Sequence, residues 1–135
     1  MSDVRVVVEV EVNPTESLEK VRSAVENLFP RASFEVVEDR IKGLLVAKTE
    51  GRDGLAQFHA ILRQERILDA ARRVLLKGRR ENRITFHLNK QVAYVKRVSF
   101  CEPFDESPLG PIRVEMECDD PSEIIEWLAP RTRKK

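Results

Sequence analysis

The sequence predicts an α+β fold, a mixed or antiparallel sheet with helices packed mainly on one face, in the order β-α-β-β-α-α-β-β-β-α. Three observations carry this. Val4, Val6, Val8, Val10 and Val12 fall on one side of the first segment and Arg5, Glu9 and Glu11 on the other, the period of a strand with one buried face. Strand-like segments then succeed one another, which favours antiparallel neighbours over the regular alternation of a parallel sheet. Between them, apolar residues recur at helical spacing.

After the first strand, Asn13-Pro14-Thr15-Glu16 reads as a helix start, with Asn13 as cap, Pro14 at the first helical position and Glu16 completing a box-like pattern. Leu18, Val21, Val25, Leu28 and Phe29 form the apolar stripe, and Pro30 comes just past its end. Residues 33–38 and 44–49 are two strands joined by a polar turn with Gly43. Gly51 to Gly54 breaks the pattern, and Asp53 can cap the next helix. Leu55, Phe58, Ile61 and Leu62 repeat at helical spacing, as does a stretch over residues 66–77; one bent helix and two helices fit equally.

Further on, Ile84, Phe86 and Leu88 alternate with Thr85 and His87 and predict a strand. Residues 90–94 fit a helical turn or continued strand. Residues 97–102 and 112–118 are strands flanking the turn-rich stretch 103–111. Asp120-Pro121-Ser122-Glu123 starts a closing helix with Ile124, Ile125, Trp127 and Leu128, stopped by Pro130. One domain is expected over residues 1–130, with a basic tail over 131–135.

Of the 135 residues, 41% are hydrophobic and fall into periodic blocks, so the 35% charged residues do not signal disorder. No apolar run approaches the roughly 20 residues of a membrane span. Charges interrupt the apolar run of MSDVRVVVEVEV, unlike a secretory signal, and both features point to the cytosol. If the strands holding Cys101 and Cys118 form a hairpin, the sulfurs lie about 15 Å or more apart. That is beyond disulfide reach, so both are expected reduced.

The net charge of +1 hides a strong segregation. Residues 63–97 carry 11 basic and 3 acidic side chains, whereas residues 98–130 carry 1 basic and 9 acidic. At helical spacing Arg66, Arg73, Lys77 and Arg80 fall within about 60° of one another. Ile67, Leu68, Ala71, Val74 and Leu75 gather opposite, and Asp69 is placed to pair with Arg73. Arg83, Lys90 and Arg97 could extend this track, as could Arg79 and Lys96. Guanidinium forks in a row suit phosphates, and counterion release then gives affinity without sequence reading.

Two other readings fit the same pattern. In one, the basic face is simply solvated and answered by the acidic segment 102–126. In the other, it meets an acidic protein partner, including a second copy of the chain. Tyr94 and Phe104 are the only aromatics in segments expected at the surface, so backbone or duplex-shape recognition fits better than a stacking platform.

No catalytic constellation is legible, and a non-enzymatic protein is expected. His59 and His87 have no second histidine or cysteine at metal-ligand spacing, so neither a metal nor a cofactor is expected. Gly51-Arg52-Asp53-Gly54 lacks the spacing and lysine of a phosphate loop. Glu115 and Glu117 alternate along one strand and read as solvent-side residues.

Four segments carry a family resemblance: the run from Leu62 to Arg72, Leu88-Asn89-Lys90-Gln91-Val92-Ala93, Pro108-Leu109-Gly110-Pro111-Ile112, and Trp127-Leu128-Ala129-Pro130-Arg131-Thr132. With them the chain resembles an archaeal family of small uncharacterised proteins related to predicted exosome-associated RNA-binding proteins. The resemblance implies a fold similar to the ribosomal protein that contacts 5S ribosomal RNA, an RNA connection, and no accepted active site. Asn89, Lys90 and Gln91, at a strand end beside the basic helix, become candidate polar contacts; Asn89 is equally suited to cap a turn. The expected partner is RNA, held by its phosphate backbone, and the alternative is a self-associating or partner-binding scaffold.

Overall fold

Strict alternation gives the first segment one buried face, and the segment lies inside the sheet with a strand on either side. The structure, a computed structural model, describes residues 4–38, 43–102 and 110–132. The chain runs β1 (Val4–Val12), α1 (Leu18–Leu28), β2 (Ser33–Glu38), β3 (Gly43–Glu50), α2 (Gly51–Gly54) and α3 (Ala56–Gln64). It continues through α4 (Leu68–Lys77), β4 (Arg79–Arg80), β5 (Arg83–Leu88), α5 (Lys90–Ala93), β6 (Phe100–Cys101), β7 (Ile112–Cys118) and α6 (Pro121–Leu128). The expected order is present, with the short elements α2, β4 and α5 added. The helical stretch over 55–77 is two helices, and residues 90–93 form a helical turn.

The strands lie in the order β2-β3-β1-β7-β5-β4, with β6 also on β5, and every pairing is antiparallel. Val4, Val6, Val8 and Val10 of β1 point to the same side as Ile84, Phe86 and Leu88 of β5 and Ile112, Val114 and Met116 of β7. All ten are buried, and the helices cover this face. On the other face, Arg113 bridges Glu9 and Glu115, and Glu117 receives both Arg5 and Arg83, as a solvated sheet face requires. Glu115 and Glu117 therefore lie where the alternation put them.

A run of aromatic contacts joins the layers. Phe58 of α3 stacks on Phe29 at the end of α1 and on Phe86 of β5, each at 5.6 Å between centroids, and Phe100 meets Phe86 edge-on at 5.8 Å. Gly78 lets the end of α4 approach β5: a Cβ there would collide with the Thr85 carbonyl.

Several local expectations are corrected. The first helix starts one turn late, at Ser17, whose hydroxyl accepts from the Lys20 amide. Residues 13–16 form a turn instead, closed by the Glu16 amide on the Asn13 carbonyl, because Glu16 is drawn into a buried ion pair with Lys90. Asp53 lies inside α2 and caps nothing beyond it; α3 begins at Ala56 without a side-chain cap. β6 and β7 do not form a hairpin, since β5 separates them. Cys101 faces His87 and Cys118 faces Val4 across their ladders, and the two are not joined, with β5 between their strands where the hairpin argument had none. Phe104, most of the turn-rich stretch 103–111 and the tail residues 133–135 lie outside the described residues. No helix among those described is long and apolar enough to cross a membrane.

Phe58 is fully buried between two rings. Phe58→Ala is expected to lower unfolding free energy by about 3–5 kcal/mol, read from the urea midpoint at constant m-value.

Candidate nucleic-acid interface

The basic segment is divided by a helix break. At the end of α3 the Arg66 amide bonds to the Arg63 carbonyl and the Ile67 amide to the Leu62 carbonyl, while Arg66 takes φ 57°. This closes the helix in the left-handed conformation that glycine usually supplies, at a cost of roughly 1–2 kcal/mol for a side-chain-bearing residue. Arg66 therefore stands at a corner and leaves the register of α4. On α4 itself Ala71 and Leu75 are buried, and Arg73 and Lys77 project outward one turn apart. Asp69, expected to pair with Arg73, instead accepts from the Thr132 hydroxyl at 2.7 Å. Neither Arg73 nor Lys77 meets a side-chain acceptor among the described residues.

Other cations of the segment are spent on the fold. Arg63 donates to the Trp127 and Leu128 carbonyls, and Arg72 to the Ala129 carbonyl, so two guanidinium groups close the negative end of α6. Arg72 also grips Glu126 through both nitrogens at 2.8 and 3.2 Å, and this hydrogen bond holds the exposed carboxyl below its ordinary range. Arg79 donates to the Ser122 hydroxyl, and Arg52 pairs with Glu123 while lying over the Trp127 ring. Much of the acidic closing helix is thus answered within the chain.

The remaining candidates separate into three places. Arg80 sits on β4 and donates to the Lys77 and Arg79 carbonyls, capping the end of α4 beside Lys77. Arg83 lies on the open face of the sheet, 3.5 Å from Glu117. Arg97 lies 3.5 Å from Glu65, on the same corner as Arg66. Asn89 caps α5 through the Val92 amide, whereas Gln91 projects into solvent.

Lys90, expected at the margin of the track, is buried at 2% exposure. Its ammonium donates to the Glu11 carbonyl at 2.9 Å and to both Glu16 oxygens at 3.1 and 3.3 Å. Asn13 donates to Glu16 from its amide and its side chain. Burial pushes the Glu16 carboxyl up, but these hydrogen bonds and the Lys90 charge outweigh it and hold the group below its ordinary value. The same carboxylate accepts from Tyr94 and raises that phenol further, after burial. Lys90 thus has a structural task that its sequence neighbourhood did not disclose.

No three His, Cys, Asp or Glu side chains among the described residues converge to hold a metal ion. His59 stacks on Trp127 at 4.3 Å, and burial, with the nearby Arg63 charge second, holds its pKa down. Burial and then Arg113 do the same for His87. An open groove of about 720 Å³ at the far end of β1 and β3 brings Arg31 and Lys48 together with Glu50 and Asp53. Sequence reasoning missed this group because its residues come from separate segments; carrying both signs, it is poorly suited to a phosphate track.

A family model described as RNA binding matches residues 5–118. A UPF0201 protein of Sulfurisphaera tokodaii is 45% identical over 130 residues, 96% of this chain and 90% of its own length. The chain belongs to this family. A UPF0201 protein of Sulfolobus acidocaldarius is 43% identical over the same shares. The crystal structure of the UPF0201 protein from Methanococcus jannaschii superposes with a TM-score of 0.84 at 38% identity, covering 96% of this chain and 95% of that one. A DUF54 protein from Methanothermobacter thermautotrophicus has the same fold at 17% identity, with a TM-score of 0.62 over 95% of this chain and 99% of its own.

The Lys90–Glu16 pair can be tested by titration. Lys90→Met leaves a buried carboxylate without its counter-charge, held by the Asn13 donors and Tyr94, and is expected to cost about 3 kcal/mol in urea unfolding at neutral pH. Because the folded Glu16 pKa is depressed, its contribution is present above the ordinary value of 4.5 and is lost as pH falls through the folded value. Glu16→Gln should therefore be less stable at neutral pH and should flatten the acid limb of the stability–pH curve.

Proposed function

We propose that the protein is a non-enzymatic RNA-associated protein that holds phosphate backbone against the outer face of α4. The observation that carries this is the pair Arg73 and Lys77, exposed one turn apart and meeting no described acceptor, in a chain matched by an RNA-binding family model. Their neighbours have other tasks in the fold, which makes this pair the freest positive charge on the helix. Arg80 flanks it at the helix end, and Arg83, beside Arg80 across the β4–β5 ladder, lies on the open face of the sheet. Such contacts take backbone charge without reading bases.

A kinship with exosome-associated proteins and a fold like that of the ribosomal protein that contacts 5S ribosomal RNA, both implied by the family resemblance alone, favour a structured RNA. Aromatic side chains support the same choice: Tyr94 is tied to Glu16 and Trp127 lies between neighbours, so neither offers an open stacking platform. The rival reading, a scaffold joining basic to acidic surfaces between copies, has less to work with, since Arg52 and Arg72 already occupy Glu123 and Glu126.

Binding to a mixed-sequence structured RNA, titrated across salt with DNA and heparin as competitors, tests the assignment. Arg73→Gln/Lys77→Gln should weaken binding to all sequences alike and flatten the log–log salt slope by roughly 1–2. Unchanged affinity and slope in a folded double variant would remove α4 from the interface. Salt-sensitive dimerisation without RNA affinity would favour the scaffold instead.

A further inference from the structure

A second set of exposed cations lies where the ends of α3 and α5 meet. The helical turn α5 ends as α3 does: the Lys96 amide bonds to the Ala93 carbonyl, the Arg97 amide bonds to the Val92 carbonyl, and Lys96 takes φ 61°. Two helix ends thus close in the left-handed conformation, each with a long cationic side chain at the position where glycine is usual. Glu65 ties the two ends together. One of its carboxylate oxygens accepts from the Val98 amide at 3.0 Å, and the other lies 3.5 Å from the Arg97 guanidinium. The tie brings the end of α3, where Arg66 follows Glu65 in the chain, to the segment that carries Lys96 and Arg97. Arg66 and Lys96 are exposed and meet no side-chain acceptor among the described residues. Val95, next to Lys96 in the chain, stands 65% exposed, the most exposed large hydrophobic residue described.

Local stability does not account for this arrangement. Glycine would close either helix without the left-handed penalty, and an exposed valine gains nothing from solvent. Positive charge near a helix C-terminus is favourable, but the effect is small and screened at an exposed site. The corner does offer cations flanking an apolar tip, held by the Glu65 carboxylate tie. That combination suits a polyanion whose charged backbone alternates with sugars and the apolar faces of bases.

We propose that this corner is a second RNA-contact point, in which Arg66, Lys96 and Arg97 take phosphates and Val95 lies against a sugar or a base face. The proposal rests on the RNA-binding reading and adds to it a contact the α4 face does not contain. A bulged RNA offers an unstacked nucleotide whose face can meet Val95 beside the phosphates, so it binds better than a straight duplex of equal length.

The test uses the full chain, a bulged RNA hairpin, a straight RNA duplex of equal length, and binding measured across salt. Arg66→Gly/Lys96→Gly removes two charges while relieving the left-handed strain, so its melting temperature should equal or exceed that of the parent. Its affinity for the bulged RNA should fall about tenfold or more at about 0.1 M salt, with the log–log slope reduced by roughly 1.5–2. Val95→Ser should weaken binding roughly threefold with the slope unchanged, as an apolar contact requires. Parental affinity and slope in the folded glycine variant would overturn the corner while leaving the α4 reading intact if Arg73→Gln/Lys77→Gln still loses binding. Loss in the glycine variant alone would support the corner and remove α4. A parent protein that binds neither RNA at low salt would overturn both.

Discussion

Because β1, β5 and β7 turn their apolar residues to one side, the sheet can bury only that face, and the rest of the molecule is arranged around this constraint. The period of two is unforgiving: a slip of one residue in β1 would send Val4, Val6, Val8 and Val10 to water and bring Arg5 and Glu9 inside. The helices must therefore cover the apolar face together. Phe58 between Phe29 and Phe86 is where α1, α3 and β5 share that task. On the opposite face the charges pair across strands, where each exposed pair contributes at most about 1 kcal/mol. Their value lies in register, since Arg5 and Arg83 both meet Glu117 only when β1, β7 and β5 are correctly aligned.

Charge segregation along the chain has two consequences in the folded molecule. Part of it becomes internal fastening: Arg63 and Arg72 close the last carbonyls of α6, and Arg52 and Arg79 reach the first turn of the same helix. Guanidinium groups suit this work because one planar fork can satisfy a carbonyl and a carboxylate at once. Another part remains outside, with Arg73 and Lys77 on a helix face and Arg66 and Lys96 at a strained corner. Lys90 belongs to neither group. Its removal from water is tolerable only because Glu16, the Glu11 carbonyl and Asn13 build a satisfied polar cluster around the pair.

The elements themselves were legible in the sequence, because periods of two and 3.6 are local properties and a strand such as Ile112–Cys118 carries its burial pattern in seven residues. The one-sided antiparallel sheet came from the succession of such strands, and the outward direction of Arg73 and Lys77 came from the apolar stripe opposite them. Tertiary structure decided the rest. Whether residues 55–77 were one helix or two depended on Arg66 accepting a left-handed backbone, which residue type alone disfavours. Lys90 read as a surface cation because its partner Glu16 is 74 residues away in sequence. Arg72 and Arg80 looked like neighbours of Arg73 on a basic segment until α6 and the end of α4 supplied their acceptors. Periodicity reports which side of an element faces the core, but the partner a charge will find is a property of chain segments that meet only after folding.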